Sequence, residues 1–260
     1  MYITVLSDAK AMDGFESEHG LSFLIETDGQ EILFDTGASD LFKRNAEKLG
    51  IRLQEIDRIV LSHGHYDHGD GLSFLEDLPL LCHPGCFSRR YRKSGTGRLG
   101  IRLSREAIEK RFHLESSRDP VRLSEHLWFL GEVPRENDFE ARYSKYLLEG
   151  GEEDYILDDS GMACITEQGL VVISGCAHSG ICNMVDYARR VTRVDQVHMV
   201  IGGFHLQTDN PQCRRTIDHL KNLKIRRVCP SHCTMEPALG LFHQAFGPCE
   251  VLTGSRMHIA

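Results

Sequence analysis

The sequence of 260 residues contains no hydrophobic run long enough to cross a bilayer and no excess of positive charge. A membrane-spanning helix needs about 20 consecutive apolar residues, so an integral membrane protein is not expected. The 30 Lys and Arg residues against 38 Asp and Glu residues give a net charge of −8, which argues against a general nucleic-acid-binding protein. The N-terminus lacks the basic start of a signal peptide and predicts a first strand instead.

The cysteines number nine, an odd count, and most of them lie near histidines. This usage predicts reduced thiols and a cytoplasmic protein. Four cysteines occur near the polar motifs described below, where a thiolate ligand would favour zinc over manganese. The alternative is that they are small buried residues that pack behind a site. These four are Cys176, Cys182, Cys229 and Cys233.

Three histidines and an aspartate stand within six residues, directly after an apolar stretch at 56–61. They are His63, His65, Asp67 and His68. The apolar stretch predicts a buried strand, and α/β sheets build their sites at the C-terminal ends of strands. Buried imidazoles and carboxylates need partners, and two divalent cations would satisfy all four side chains. The segment therefore predicts a metal site rather than a polar turn with unrelated histidines.

Three later histidines also follow predicted strands. His178 and His232 are predicted ligands, because the first motif needs partners from elsewhere in the chain. His205 is predicted either as a ligand or as a residue close to the metals that contacts the ligands or the substrate. A single histidine at a strand end is more often structural, but three at the same structural position favour a site.

The motif His63-x-His65-x-Asp67-His68, with the upstream run at 32–37, resembles the signature of the metallo-β-lactamase superfamily. The later motifs Gly-Cys-Ala-His, Gly-Gly-Phe-His-Leu and Pro-x-His-Cys-Thr are similar to those of one subfamily. That subfamily is typified by an archaeal 7,8-dihydropterin-6-yl-methyl-4-(β-D-ribofuranosyl)aminobenzene 5′-phosphate synthase. The resemblance implies a single α/β domain over residues 1–260, built as a four-layer αββα sandwich. It leaves out residues 87–155, which we expect to form a charged insertion that covers the active site.

The resemblance also implies how two divalent metal ions are held. His63, His65 and His178 would hold one ion, and Asp67, His68 and His232 the other. Zinc is the expected metal, with manganese or iron as alternatives. Many relatives place a bridging aspartate where this chain has Cys176, so Asp159 is a candidate metal-binding or bridging carboxylate and the second ion is expected to bind more weakly. Asp35 is expected to orient the metal loop through backbone hydrogen bonds.

The charge of the predicted insertion is uneven, with a basic run at 89–122 and a mostly acidic run at 132–159. One interpretation is a basic lid that attracts an anionic small molecule, with Arg89, Arg90 and Lys93 as candidates for binding a substrate phosphate. The other is a solvated helical surface whose charges are partly balanced by neighbouring glutamates.

Two adjacent cations support more than one reaction. They can lower the pKa of a bridging water for hydrolysis, or neutralise a diphosphate as it leaves during a condensation. The leading hypothesis is therefore a metal-dependent hydrolase or transferase that acts on a small phosphorylated or cyclic substrate. The alternatives are a di-iron protein that handles electrons or oxygen, and a metal-binding protein without catalysis that acts in regulation.

Overall fold

The N-terminal strands and the last strand form one sheet of the computed structural model, which describes residues 1–95 and 97–260. Thr96, within the predicted insertion, lies outside the described residues. The strand order is β16-β1-β2-β3-β4-β5-β7. The bounds are β1 (Tyr2–Ser7), β2 (Ser22–Thr27), β3 (Gln30–Phe34), β4 (Arg58–Val60), β5 (Pro79–Cys82), β7 (His113–Ser116) and β16 (Arg256–His258). The Asp-Gly pair at 28–29, typical of a hairpin turn, joins β2 and β3, and both residues have positive φ as a tight hairpin turn requires.

A second sheet of six strands has the order β15-β14-β13-β12-β9-β8. The bounds are β8 (Val121–Arg122), β9 (Leu127–Phe129), β12 (Gly161–Thr166), β13 (Gly169–Ser174), β14 (Val197–Gly203) and β15 (Arg227–Ser231). The strands β13, β14 and β15 are parallel, as are β3, β4 and β5 of the first sheet. Parallel neighbours end at the same edge, so the loops that follow them are brought together.

The two sheets pack face to face with helices outside each of them. Along β2, Phe23 and Ile25 point into the core between the sheets, and Leu24 points to the outer core under the helices. The helices are α1 (Leu41–Lys48), α2 (Tyr66–Gly69), α3 (Arg105–Arg111), α4 (Ile181–Thr192), α5 (Pro211–Asn222) and α6 (Ala238–Phe246), with a 3-10 helix at Asp70–Phe74. Side chains of α1 and α3 pack on the first sheet, and those of α4, α5 and α6 pack on the second. This confirms the predicted four-layer αββα sandwich.

The stretch at 87–155 does more than form an insertion. Its strand β7 extends the first sheet by pairing with β5, and β8 and β9 extend the second sheet. The remainder forms a small sheet of β6 (Arg90–Arg92), β10 (Tyr146–Leu148) and β11 (Glu153–Asp154). From this sheet Tyr146 reaches the histidine cluster, where its ring centroid lies 5.3 Å from that of His65.

The sequence predicts that all cysteines are reduced thiols, as in a cytoplasmic protein, and the structure differs in one pair. Cys229 of β15 and Cys249 form a disulfide, and the other seven cysteines are free and buried. Cys182 lies in the first turn of α4 and faces α5, with its Sγ near the Thr216 carbonyl oxygen. Among the described residues, no helix has both the length and the apolarity needed to cross a bilayer.

Candidate metal centre

The predicted ligands come together where strands of both sheets end. The metal loop follows β4, and the loops after β13, β14 and β15 carry His178, His205 and His232. The backbone is unusual here, because His205 and His232 have φ of 51° and 52°, a region that residues other than glycine rarely occupy. Asp35, after β3, has φ of 60°. Such outliers tend to persist at functional sites, where the surrounding structure holds them in place.

His63, His65 and His178 form one set of candidate ligands. Each offers a ligand atom within 4.8 Å of the others, and Nε2 of His178 lies 3.2 Å from Nδ1 of His65. Buried polar atoms normally have partners. Nε2 of His63 and Nε2 of His65 are buried and have no hydrogen-bond partner among the described residues. A divalent cation would supply the partner that this set lacks.

The imidazoles of this first set are held in the neutral form. Burial lowers the pKa of His65 to about 3, and burial, together with the neighbouring histidines, holds the pKa of His63 and of His178 well below 6.5. A neutral imidazole has a free lone pair for a metal, whereas a protonated one does not. The electrostatics of the metal-free site therefore suit cation binding.

This burial makes the stability contributed by His65 dependent on pH in the metal-free protein. The unfolded chain takes up the His65 proton near pH 6.5, but the folded chain does so only near pH 3. Stability is therefore lost as the pH falls below 6.5, by about 2 kcal/mol at pH 5. We expect the stability difference between wild type and His65→Asn, measured by urea denaturation without metal, to shift by that amount between pH 7.5 and pH 5. A difference independent of pH would contradict this.

Asp67, His68 and His232 form a second, adjacent set of candidate ligands. Nε2 of His68 lies 3.1 Å from Nε2 of His232, and Oδ2 of Asp67 lies 3.4 Å from Nε2 of His232 and 3.9 Å from Nε2 of His68. Ligands on one tetrahedral zinc at about 2.0 to 2.2 Å are separated by about 3.3 to 3.6 Å. The three atoms therefore surround a position that fits one cation.

The protonation of the second set differs from that of the first. Burial opposes the charge of Asp67, but His68 and His232 outweigh it and lower the pKa of that carboxyl. Burial also opposes protonation of His68 and of His232. The carboxylates Asp35 and Asp67 outweigh burial at His68, and Asp67 outweighs it at His232. Both imidazoles therefore have a raised pKa. In the metal-free protein the positive charge on the imidazoles of His68 and His232 stabilises the nearby Asp67 carboxylate, as a bound cation would.

Three buried carboxylates hold the ligand loops from behind. Asp35 accepts hydrogen bonds from the N–H and Oγ of Ser62, both at 2.7 Å, and its Oδ2 lies 2.7 Å from Nδ1 of His68. Asp158 accepts the N–H of Gly64 at 2.7 Å, and Asp8 accepts the N–H of His232 at 3.1 Å. A carboxylate behind a histidine fixes the ring orientation and leaves the other nitrogen free for a metal.

Asp159 and His205 lie close to the ligand sets without completing them. Asp159 accepts hydrogen bonds from the N–H and Oγ of Ser179, and burial raises its pKa to about 6. It therefore supports the loop that carries His178. The His205 ring centroid lies 4.4 Å from that of His178, and its Nε2 lies 3.2 Å from the Tyr146 hydroxyl. Burial lowers the pKa of His205 to about 4.

Two cysteines and one histidine join the site beyond the predicted ligands. Sγ of Cys176 lies 3.2 Å from Nε2 of His68, and it falls within one cluster with His63 and His68 and another with His232 and Cys233. His19, before β2, places Nε2 3.3 Å from Oδ2 of Asp67. Sequence reasoning weighed the cysteines but missed His19, because no motif distinguishes it.

The three cations proposed for a substrate phosphate are engaged elsewhere. Arg90 is only 2% exposed and forms ion pairs with Asp154 at 3.2 Å and Asp158 at 2.8 Å. Arg89 and Lys93 pair at the surface with Glu149 and Glu153. Arg90 therefore ties the small sheet to the metal loop and offers no free guanidinium to a ligand.

Comparison with known proteins agrees with this fold. The family model of the metallo-beta-lactamase superfamily matches residues 18–77, which include Asp35 and the metal loop. Beyond that segment, relatives match along almost the whole length. The chain belongs to the metallo-β-lactamase superfamily.

Two relatives from Methanocaldococcus jannaschii and one solved structure show which members of the superfamily the chain is similar to. A 7,8-dihydropterin-6-methyl-4-(beta-D-ribofuranosyl)-aminobenzene-5'-phosphate synthase is 37% identical over 255 residues, covering 89% of this chain and 86% of the relative. An uncharacterised protein is 34% identical, covering 91% and 92%. The crystal structure of Tm1679, a metal-dependent hydrolase of the beta-lactamase superfamily, superposes with a TM-score of 0.89 at 29% identity, covering 100% of this chain and 99% of that one. The chain is thus related to the pterin synthase.

Proposed function

We propose that the chain is a binuclear metal-dependent enzyme that acts on a small phosphorylated substrate. One observation carries the proposal: two adjacent groups of candidate ligands, all buried except the half-buried His178, lie side by side, and the first group holds nitrogens without a partner among the described residues. The groups are His63, His65 and His178, and Asp67, His68 and His232. Bound divalent cations would lower the pKa of water and polarise a phosphoryl oxygen. The identity of the metal, the filling of both sets and the substrate are parts of this proposal.

The residues around the ligands have separate tasks in this account. Asp35 keeps a proton on Nδ1 of His68, so that Nε2 faces the cation. Asp158 and Asp8 hold the backbone of the loops that carry His63 and His232. Tyr146 and His205 border the site on the side of the small sheet and exclude water there.

Cys176 is proposed as a thiolate ligand, which favours zinc over manganese. Its sulfur lies 3.2 Å from Nε2 of His68 and clusters with a ligand of each set, where a bridging carboxylate stands in many relatives. We expect the cobalt-substituted protein to absorb in the near ultraviolet through sulfur-to-cobalt charge transfer. Cys176→Ser should remove this band, and Cys182→Ser, which alters a free buried cysteine within α4, should keep it. A band that survives Cys176→Ser would contradict the assignment.

Hydrolysis and group transfer differ in their need for a second substrate. The name of the synthase relative suggests transfer between a dihydropterin and a ribofuranosylaminobenzene phosphate. We therefore propose an assay with a dihydropterin-methyl diphosphate, with and without that acceptor. Transfer predicts that diphosphate release depends on the acceptor and yields a joined product, whereas hydrolysis predicts release without it. If the metal-loaded protein releases no diphosphate with or without the acceptor, and so behaves like the metal-free protein, an enzymatic role on this substrate class is contradicted.

The two alternative functions give other results. A di-iron protein would be purified with bound iron and a visible chromophore. A metal-binding protein without catalysis would bind its ions but release no product from phosphorylated substrates. The Cys176 sulfur beside the candidate ligands favours zinc over the di-iron alternative.

A further inference from the structure

A cleft of about 460 Å³ opens directly beside the metal centre. Its wall runs from His178, through the segment around Tyr143, to the start of α5 at Pro211. Small-molecule sites commonly have volumes of about 300 to 1,000 Å³ with a few well-placed polar groups. The cleft is therefore large enough for a small organic molecule, one end of which would reach the ligand loop after β13.

Two cations, Arg142 and Lys145, line the cleft. Two nearby acids, Asp138 and Asp209, already pair with Arg215 and Arg214. Within residues 1–95 and 97–260, Arg142 and Lys145 have no carboxylate at ion-pair distance. In a chain with a net charge of −8, two unpaired cations on one wall make a local positive site.

The N-terminus of α5 adds to this charge. The helix has 12 residues, and its cap residue Asn210 and first residue Pro211 both line the cleft. A helix N-terminus carries a partial positive charge and attracts anions. Together with the two cations, it makes the cleft a site that suits a phosphate.

Aromatic side chains line the same cleft. Tyr143 is 93% exposed, an unusual state for a large apolar ring, and Tyr146, Phe139 and Phe204 also contribute to the wall. An exposed aromatic ring at a site commonly serves to bind a flat ligand, because ring stacking and burial of apolar surface both favour it.

We propose that this cleft binds an aromatic phosphate, with the phosphate held by Arg142 and Lys145 and the ring against Tyr143. The proposal rests on the proposed function, because the other end of the ligand would face the metals. It replaces Arg89, Arg90 and Lys93 as the phosphate-binding residues. The phosphate in question stays on the substrate and is not the group that reacts.

The test uses phenylphosphonate, an aromatic anion that resists hydrolysis, titrated calorimetrically into the metal-loaded protein. We expect Arg142→Gln with Lys145→Gln to weaken binding at least tenfold, since bonds to charged groups are among the strongest polar contacts. As a control, Arg89→Gln with Lys93→Gln removes the same charge from another part of the 87–155 stretch and should change the affinity by less than twofold. Tyr143→Ala should weaken phenylphosphonate binding more than inorganic phosphate binding.

Two results would overturn the proposal: unchanged affinity in the Arg142 and Lys145 variant, or an equal loss in the Arg89 and Lys93 variant. Metal content is measured on every sample, so that failure of the metal centre is separately visible. If the protein takes up no metal even after loading, yet its phenylphosphonate binding still depends on Arg142 and Lys145, the proposed enzyme is refuted and the cleft is supported. The same titration on metal-free protein separates this binding from direct contact with the ions.

Discussion

Replacing His178 with alanine is expected to remove one metal ion from each chain and to abolish turnover. The half-buried His178 lies between His65 and His205, and its Nε2 is 3.2 Å from Nδ1 of His65. Without it the first set keeps two imidazoles, which is fewer than the three protein ligands of typical catalytic zinc sites. Metal content by plasma mass spectrometry should therefore fall from about two to about one ion per chain.

The matched variants make this result specific. His232→Ala should remove the other ion, because the second set would keep only Asp67 and His68 of its three close ligands. His198→Ala changes another buried histidine, on β14, and should leave the metal content unchanged. If both His178→Ala and His232→Ala keep the full metal content, the ions lie elsewhere in the protein.

The second large effect is expected at Arg90, which the structure makes a buried ion-pair partner of two carboxylates. Arg90→Met would leave Asp154 and Asp158 buried without their counter-charge. Removing one partner of a buried pair costs about 3 to 5 kcal/mol. We expect the unfolding free energy in urea to fall by that amount. Metal affinity should fall too, because Asp158 holds the N–H of Gly64 in the metal loop.

Arg89→Met is the control for this prediction. Arg89 is adjacent in sequence but exposed, and its ion pair with Glu149 lies at the surface. Exposed pairs contribute about 0 to 1 kcal/mol, so this variant should unfold almost like wild type. Equal stability of the two variants would mean that the buried network around Arg90 is not what holds the small sheet to the metal loop.

The fold and the metal loop were predictable because their signals are local. An apolar run that ends in His63, His65, Asp67 and His68 predicts both a strand and a site, and Asp-Gly at 28–29 predicts the β2–β3 hairpin. The fold class also followed from motifs spread over both halves of the chain. These signals depend on residues that are neighbours in sequence.

Other features depend on tertiary contacts that leave little local pattern. The strands β7, β8 and β9 have two to four residues each, too few for a clear alternation, so the stretch at 87–155 resembled an insertion. The burial of Arg90 depends on Asp154 and Asp158, more than 60 residues away in the chain. His19 reaches the site only because β2 begins beside the metal loop. The disulfide between Cys229 and Cys249 likewise depends on tertiary contacts, because a count of nine cysteines does not show which of them lie close together.

The central claim is that two metal ions bind side by side in the two ligand sets. The most direct measurement is an anomalous difference map from crystals of the zinc-loaded protein, recorded at the zinc absorption edge. The account predicts two peaks about 3.5 to 4 Å apart. One should lie among His63, His65 and His178, and the other among Asp67, His68 and His232. A single peak, or peaks outside these residues, would contradict the binuclear centre.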